Sequence, residues 1–194
     1  MKGEKQMINP NLIKNCQQGD ETAFEELYKV YVTKALRTVY LLVSNRDIAE
    51  DILQEAFFEC YRDIHKLRSP EAFETWFYRI LVRISWRLAA KERKVIHENL
   101  DDHVEYLKED NILFEYIENN PQISMIREMV NHLSIPLRTT VILYYYNDMS
   151  IKEIAKVMNC LQGTVKSRLY NGRKFLGKEI KNRGSDLVKG ELNL

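Results

Sequence analysis

The sequence predicts an all-α protein of two small helical domains joined by a flexible acidic linker. Three observations predict it. Glycine (7) and proline (4) are scarce among 194 residues, so few helix breakers are present. Apolar residues recur at spacings of three and four along two stretches of chain. Between those stretches the period is lost, and residues 95–118 carry a net charge of −7. The expected boundaries are a first domain at 8–95, a linker at 96–121, a second domain at 122–183 and a tail at 184–194.

In the first domain, Phe24, Leu27, Tyr28, Tyr31, Ala35, Leu36 and Val39 mark one face of a helix. Asp20 is placed to cap it, with Glu21 in the first turn where the helix dipole favours a carboxylate. Ser44 and Asn45 mark a break. A second helix is predicted from Asp47 through Ile48, Ile52, Leu53, Ala56, Phe57, Tyr61 and Ile64. His65 to Ala72 contains Pro70 and reads as a loop. From Phe73 a third helix turns Trp76, Phe77, Ile80, Leu81, Ile84 and Leu88 inward. Arg79, Arg83, Arg87 and Lys91 recur every four residues on its other face, and residues 79–94 carry a net +5. Three helices sharing an apolar interior make a small bundle.

The second domain reads as helices at Ile123–Leu133, Leu137–Tyr146, Ser150–Met158 and Gly163–Ile180. Ser150 with Glu153 three residues later forms a capping box. An eight-residue helix, the short turn Asn159-Cys160-Leu161 and a second helix locked by Val165 and Leu169 give helix–turn–helix spacing, with Ala155 small at the crossing. Residues 151–183 carry a net +7. The outer face of the second helix carries Lys166, Ser167, Arg168, Tyr170, Asn171, Arg173 and Lys174. Arg and Asn suit base edges, and Lys and Ser suit phosphates. Two basic segments separated by an acidic one point to a polyanion held at two places; solvated helix faces are the plainer reading.

Other classes are excluded or disfavoured. Cys16, Cys60 and Cys160 are far apart with no CxxC, which implies reduced thiols in a cytoplasm rather than disulfides or structural zinc. The first twenty residues lack the apolar core of a secretory signal, and no apolar run approaches the length of a membrane span. His65, His97, His103 and His132 form no metal-ligating spacing, and no P-loop or GxSxG is present, so neither an enzyme nor a cofactor is expected.

Five strings carry a resemblance: GDETAFEELYKVY (19–31), DIAEDILQEAFFECY (47–61), AFETWFYRI (72–80), IPLRTTVILYYYNDMSIKEIAKVMN (135–159) and GTVKSRLYNGRKFL (163–176). In this order the chain resembles the extracytoplasmic-function sigma factors of the sigma-70 family. The resemblance implies that the two domains are sigma regions 2 and 4. It implies binding to core RNA polymerase at the β-prime clamp helices and the β flap. It also implies reading of promoter DNA at −10 by the first domain and at −35 by the second. An anti-sigma partner, often membrane-bound, is common in such proteins. A helix–turn–helix regulator acting without being a polymerase subunit is the alternative, although no ligand or phosphoacceptor domain accompanies the motif.

The resemblance assigns residues as well. Asp47, Glu50, Asp51, Gln54 and Glu55 become the polymerase contact. Arg68 and Ser69 in the loop, with Phe73, Trp76, Arg79, Arg83 and Arg87, become the −10 surface. Trp76 fits either a pocket for an unstacked base or the core. Many relatives carry Asn and Asp where this chain has Arg83 and Arg87, which leaves open whether these read bases or only phosphates. Lys166, Ser167, Tyr170 and Asn171 become −35 readers, with Thr164, Arg168 and Arg173 on phosphates. Asn171-Gly172-Arg173 stands where the family often has Arg-Ala-Arg, and Asn favours adenine where Arg favours guanine. The acidic linker corresponds to a segment that threads the RNA exit channel, or is an ordinary solvated linker.

Overall fold

The computed structural model describes residues 9–95 and 121–191. Residues 96–120 of the predicted linker and the first and last few residues lie outside them. The described residues form eight α-helices and no strand: α1 (Pro10–Gln17), α2 (Glu21–Val43), α3 (Arg46–Asp63), α4 (Phe73–Val95), α5 (Pro121–Asn131), α6 (Ile135–Tyr145), α7 (Ile151–Val157) and α8 (Gln162–Glu191). Two single 3-10 turns, Ile64–Lys66 and Pro70–Ala72, lie between α3 and α4.

Local chemistry explains the boundaries. The Asp20 carboxylate accepts the backbone N–H groups of Thr22 and Ala23 and the Thr22 hydroxyl, and these bonds hold it below its usual range. Asn45, read as a break, does more: its side chain accepts Ile48 N–H at 3.1 Å and starts α3. Ser44 closes α2 in the left-handed region at φ 58°, its N–H on the Tyr40 carbonyl. Helix α1 is absent from the sequence reading. It begins with Asn9 as cap and Pro10 at the first turn, and it buries Leu12, Ile13 and Cys16.

Helices α2, α3 and α4 bury an aromatic centre. Phe73 stacks on Phe77 with centroids 5.7 Å apart, and Tyr31 meets both edge-on at 5.2 and 5.6 Å. Burial pushes the Tyr31 phenol and the Cys60 thiol well above their ordinary ranges. In the second group α8 packs along α6 and α7 through Val165 and Leu169, both buried. Helix α8 continues to Glu191, past the point near Arg183 where the sequence loses its period. Extending an existing helix costs little, and no proline interrupts it.

The two groups also pack on each other. Helix α4 lies against α7, and α2 lies against α5 and α6. The buried apolar residues of both groups form one contiguous core.

Candidate polymerase and nucleic-acid interfaces

Helix α3 sets its acids on two faces. Asp47, Asp51 and Gln54 are exposed at i, i+4 and i+7, and the stripe continues through Phe58 and Tyr61. Phe58 is 67% exposed and Tyr61 is edge-on to Phe24 at 4.9 Å. Tyr61, expected inside, therefore lies half out, and Phe58 is an exposed aromatic on this face that sequence reasoning passed over. A period of 3.6 was its available signal. The other acids turn toward neighbours: Glu50 pairs with Arg46 at 2.8 Å, and Glu55 and Glu59 pair across to Arg87 and Arg83 on α4. Glu50 and Glu55 are half-buried, so the structure separates them from Asp47, Asp51 and Gln54.

The same pairs re-draw the basic stripe. Arg83 and Arg87 are exposed but answered by α3 carboxylates. Arg79 reaches out of the first group, its Nε 3.0 Å from the Lys156 carbonyl near the end of α7 and its Nη2 on the same oxygen. A guanidinium there answers the negative end of the helix.

The loop before α4 is held from outside. Gln17 of α1 donates its side-chain amide to the Ile64 carbonyl at 3.2 Å and to the Leu67 carbonyl at 2.6 Å. Within the loop, Ser69 donates to Glu71, keeping that carboxylate below its usual range. At its entrance Arg62 at 2.8 Å and Lys66 hold the Asp63 carboxyl well below the usual range. Arg68 and Ser69 are exposed. Phe73 is a correction. It is 0% exposed, with Phe77 and Tyr31 against its ring, so it has no face for a base. Its apolar spacing, shared with Phe77 and Leu81, decides for the core. Trp76 is half-buried, 6.0 Å from the Phe73 ring.

In the second group the helix–turn–helix is built as its sequence dictates. The Ser150 hydroxyl accepts Glu153 N–H at 3.3 Å while Glu153 accepts Ser150 N–H at 2.8 Å. Asn159 turns the chain at φ 48°, and Cys160 N–H closes on the Ala155 carbonyl at 3.0 Å. Val165 and Leu169 then face inward, so Lys166, Ser167, Tyr170, Asn171 and Arg173 face outward, Tyr170 at 62% exposure. Thr164 and Arg168 are half-buried on the flank, with Arg168 Nη1 3.8 Å from the Cys160 sulfur.

Among the described residues no group of His, Cys, Asp and Glu could hold a metal, and no helix is long and apolar enough to cross a membrane. Burial raises the Cys16 thiol to about 11, which leaves it a poor nucleophile.

Comparison with known proteins places this geometry. Residues 27–95 match the family model for sigma-70 region 2, and residues 123–176 match that for sigma-70 region 4. The RNA polymerase sigma-H factor of Pseudomonas aeruginosa is 30% identical over 179 residues, covering 87% of this chain and 92% of that protein. The ECF RNA polymerase sigma-E factor of Escherichia coli K12 is 31% identical over 186 residues, covering 91% of this chain and 96% of that protein. In fold, the chain is similar to the sigma factor RpoE of Bartonella quintana, solved in complex with the anti-sigma factor NepR. That likeness has a TM-score of 0.66 at 19% identity, over 81% of this chain and 96% of that one. Two helical groups in this order, matched along nearly the whole chain by proteins of one kind, settle the family: this chain belongs to the extracytoplasmic-function sigma factors of the sigma-70 family, which direct RNA polymerase to promoters.

Proposed function

We propose that residues 8–95 act as the region 2 domain and 122–183 as the region 4 domain, dividing polymerase binding and promoter reading between them. The observation that carries this reading is that each group leaves one helix face uncovered, with the charge its role requires. The α3 face, Asp47, Asp51 and Gln54 with Phe58 beside them, suits a basic helical surface of the polymerase clamp: acids supply steering and the aromatic supplies buried area. Glu50 and Glu55 flank it, already paired. The α8 face, Lys166, Ser167, Tyr170 and Asn171, suits the −35 major groove, with Thr164, Arg168 and Arg173 at the phosphates. The loop residues Arg68 and Ser69, with half-buried Trp76, suit capture of an unstacked −10 base, and Arg79, Arg83 and Arg87 suit the adjoining backbone. For the arginines this requires exchanging their present partners for phosphate.

The protein acts by binding alone, without a cofactor, in the cytoplasm. An anti-sigma factor is its expected regulator, as NepR accompanies the similar RpoE fold. The test is Asp47→Lys with Asp51→Lys. Like-charge juxtaposition at an interface costs several kcal/mol, so core binding should weaken about tenfold or more. Both positions are exposed, so the fold and binding to −35 duplex should remain. Undiminished binding to core polymerase would remove α3 from the polymerase face.

A further inference from the structure

The outward face of α8 is longer than its charged residues. Val165, Leu169 and Gly172 are buried against the rest of the second group, so Lys166, Tyr170 and Arg173 share one exposed stripe, spaced by four and three. Gln162, four residues before Lys166, opens that stripe and is exposed. Leu161 stands just before it in the turn, and its carbonyl accepts Val165 N–H at 3.2 Å, which makes it the residue that caps α8. Leucine is a poor choice there, because its side chain has no oxygen to accept a backbone N–H. At 79% it is also the most exposed large apolar side chain among the described residues. Gly163 follows, and a Cβ there would meet nothing within 4 Å. Packing within the chain therefore does not account for a leucine, a glutamine and a glycine in succession.

We propose that Leu161, Gln162 and Gly163 form a further base-reading subsite of the −35 surface, with the Gln162 amide on an adenine edge and Leu161 against a thymine methyl. This rests on the reading of α8 as the −35 helix, and it names what the leading end of that helix selects. In a helix–turn–helix the first residues of the recognition helix are the ones brought to base edges in the major groove. A Gln amide offers one acceptor and one donor, which match the exocyclic amine and N7 of adenine and mismatch the two acceptors of guanine. Thymine alone carries a methyl in that groove, and an exposed leucine gains by covering it. Gly163 leaves the backbone bare beside them, so the turn can come close to the bases.

Two consequences separate this subsite from the residues already placed on the face. Its three members are uncharged, so they add sequence preference and no salt dependence. Gln162 also precedes Asn171 by nine residues. Nine residues of helix rise about 13 Å, or at most about four base steps. The two amides therefore read different base pairs.

The test uses the full chain with −35 duplexes and a randomised −35 library. Gln162→Ala should relax the choice of adenine at one pair, distinct from the pair relaxed by Asn171→Ala. Placing 7-deazaadenine there, which lacks the N7 acceptor, should weaken the parent about fivefold and Gln162→Ala little. Deoxyuridine in place of thymine removes only the methyl. Tried at each thymine in turn, it should cost the parent about threefold to fourfold at one position, and Leu161→Ala nothing there. The salt slope should stay at the parent level in both variants. Gly163→Ala should unfold no more easily than the parent, because alanine favours helix and the space is open, yet bind −35 duplex more weakly. The base analogues alter only the DNA, so they decide the matter even for a variant that folds poorly. Uniform weakening of all sequences by Gln162→Ala would make it a phosphate contact and overturn the proposal. So would unchanged selection in Gln162→Ala and Leu161→Ala while Asn171→Ala relaxes its own position, which would leave α8 as the −35 reader. A parent that selects no −35 sequence would remove that reading and the subsite together.

Discussion

Gly172 in α8 lies directly against Val141 of α6: a Cβ at 172 would stand 2.7 Å from Val141 Cγ2. This accounts for a glycine in the middle of the recognition helix, where it costs about 1 kcal/mol relative to alanine. Val141 is buried and β-branched, so it has little freedom to move aside. Gly172→Ala should therefore lower stability by about 1–3 kcal/mol by overpacking, against the propensity gain. Adding Val141→Ala should make the loss less than additive. Thermal or urea unfolding of the three variants decides it, and a Gly172→Ala protein as stable as the parent would refute the close approach.

Asn171 and Lys166 share the outward face of α8 but differ in chemistry. An Asn amide can bond an adenine edge in two places, worth about 1–3 kcal/mol of discrimination. Asn171→Ala should relax preference at one −35 position and barely change the salt dependence. If Lys166, set in the groove beside Asn171, acts there through its charge on phosphate, Lys166→Ala should weaken all sequences alike and reduce the salt slope by about one, whereas a shifted preference makes it a base contact. Selection from a randomised −35 library checks both. Unchanged preference in the Asn171 variant would strike it from the readers.

Much of this was legible because local chemistry and burial agree. Asp20 and the Ser150–Glu153 box cap helices wherever they stand, and most of the threes and fours in α2, α3 and α4 are core positions, with Tyr28 and Tyr61 exposed at the edge. The misses share a cause. Thr38 and Asn147 are polar, so periodicity assigns them to solvent; only the packing of one group on the other pairs them. Helix α1 has three buried residues in eight, too few to show a period. Phe73 and Trp76 both open α4, and spacing alone does not say which ring is enclosed. Arg79, Arg83 and Arg87 form a stripe in sequence, but their partners on α3 and α7 come from distant chain.

The three thiols should separate by reactivity. Cys16 and Cys60 are buried, and burial raises both, Cys16 to about 11. Cys160 is half-exposed in the helix–turn–helix turn. At neutral pH the native chain should titrate one fast thiol with a thiol reagent and the unfolded chain all three. Cys160→Ser should remove the fast phase. Two fast thiols in the native chain would contradict the packing of α1 on α2 and on the 3-10 turns that follow α3.

Gln17 should position the −10 loop. It lies outside the matched region 2 segment, yet its amide bonds the Ile64 and Leu67 carbonyls, 47 and 50 residues on. These bonds fix the loop's entrance just before Arg68 and Ser69. Gln17→Leu keeps comparable bulk and removes both donors. At about 1 kcal/mol net per hydrogen bond, stability should fall by about 1–2 kcal/mol. That loss alone would mark a structural residue, so the deciding measurement is differential. Binding to a single-stranded −10 oligonucleotide carrying a fluorescent adenine analogue should weaken, and preference at the captured base should relax. Binding to −35 duplex and to core polymerase should stay at the parent level. Gln17→Asn, which retains the amide on a shorter stem, should restore little of the base preference, because the two carbonyls lie at the reach of the longer side chain. Equal −10 affinity and base preference in parent and Gln17→Leu would show that the loop holds its shape without α1.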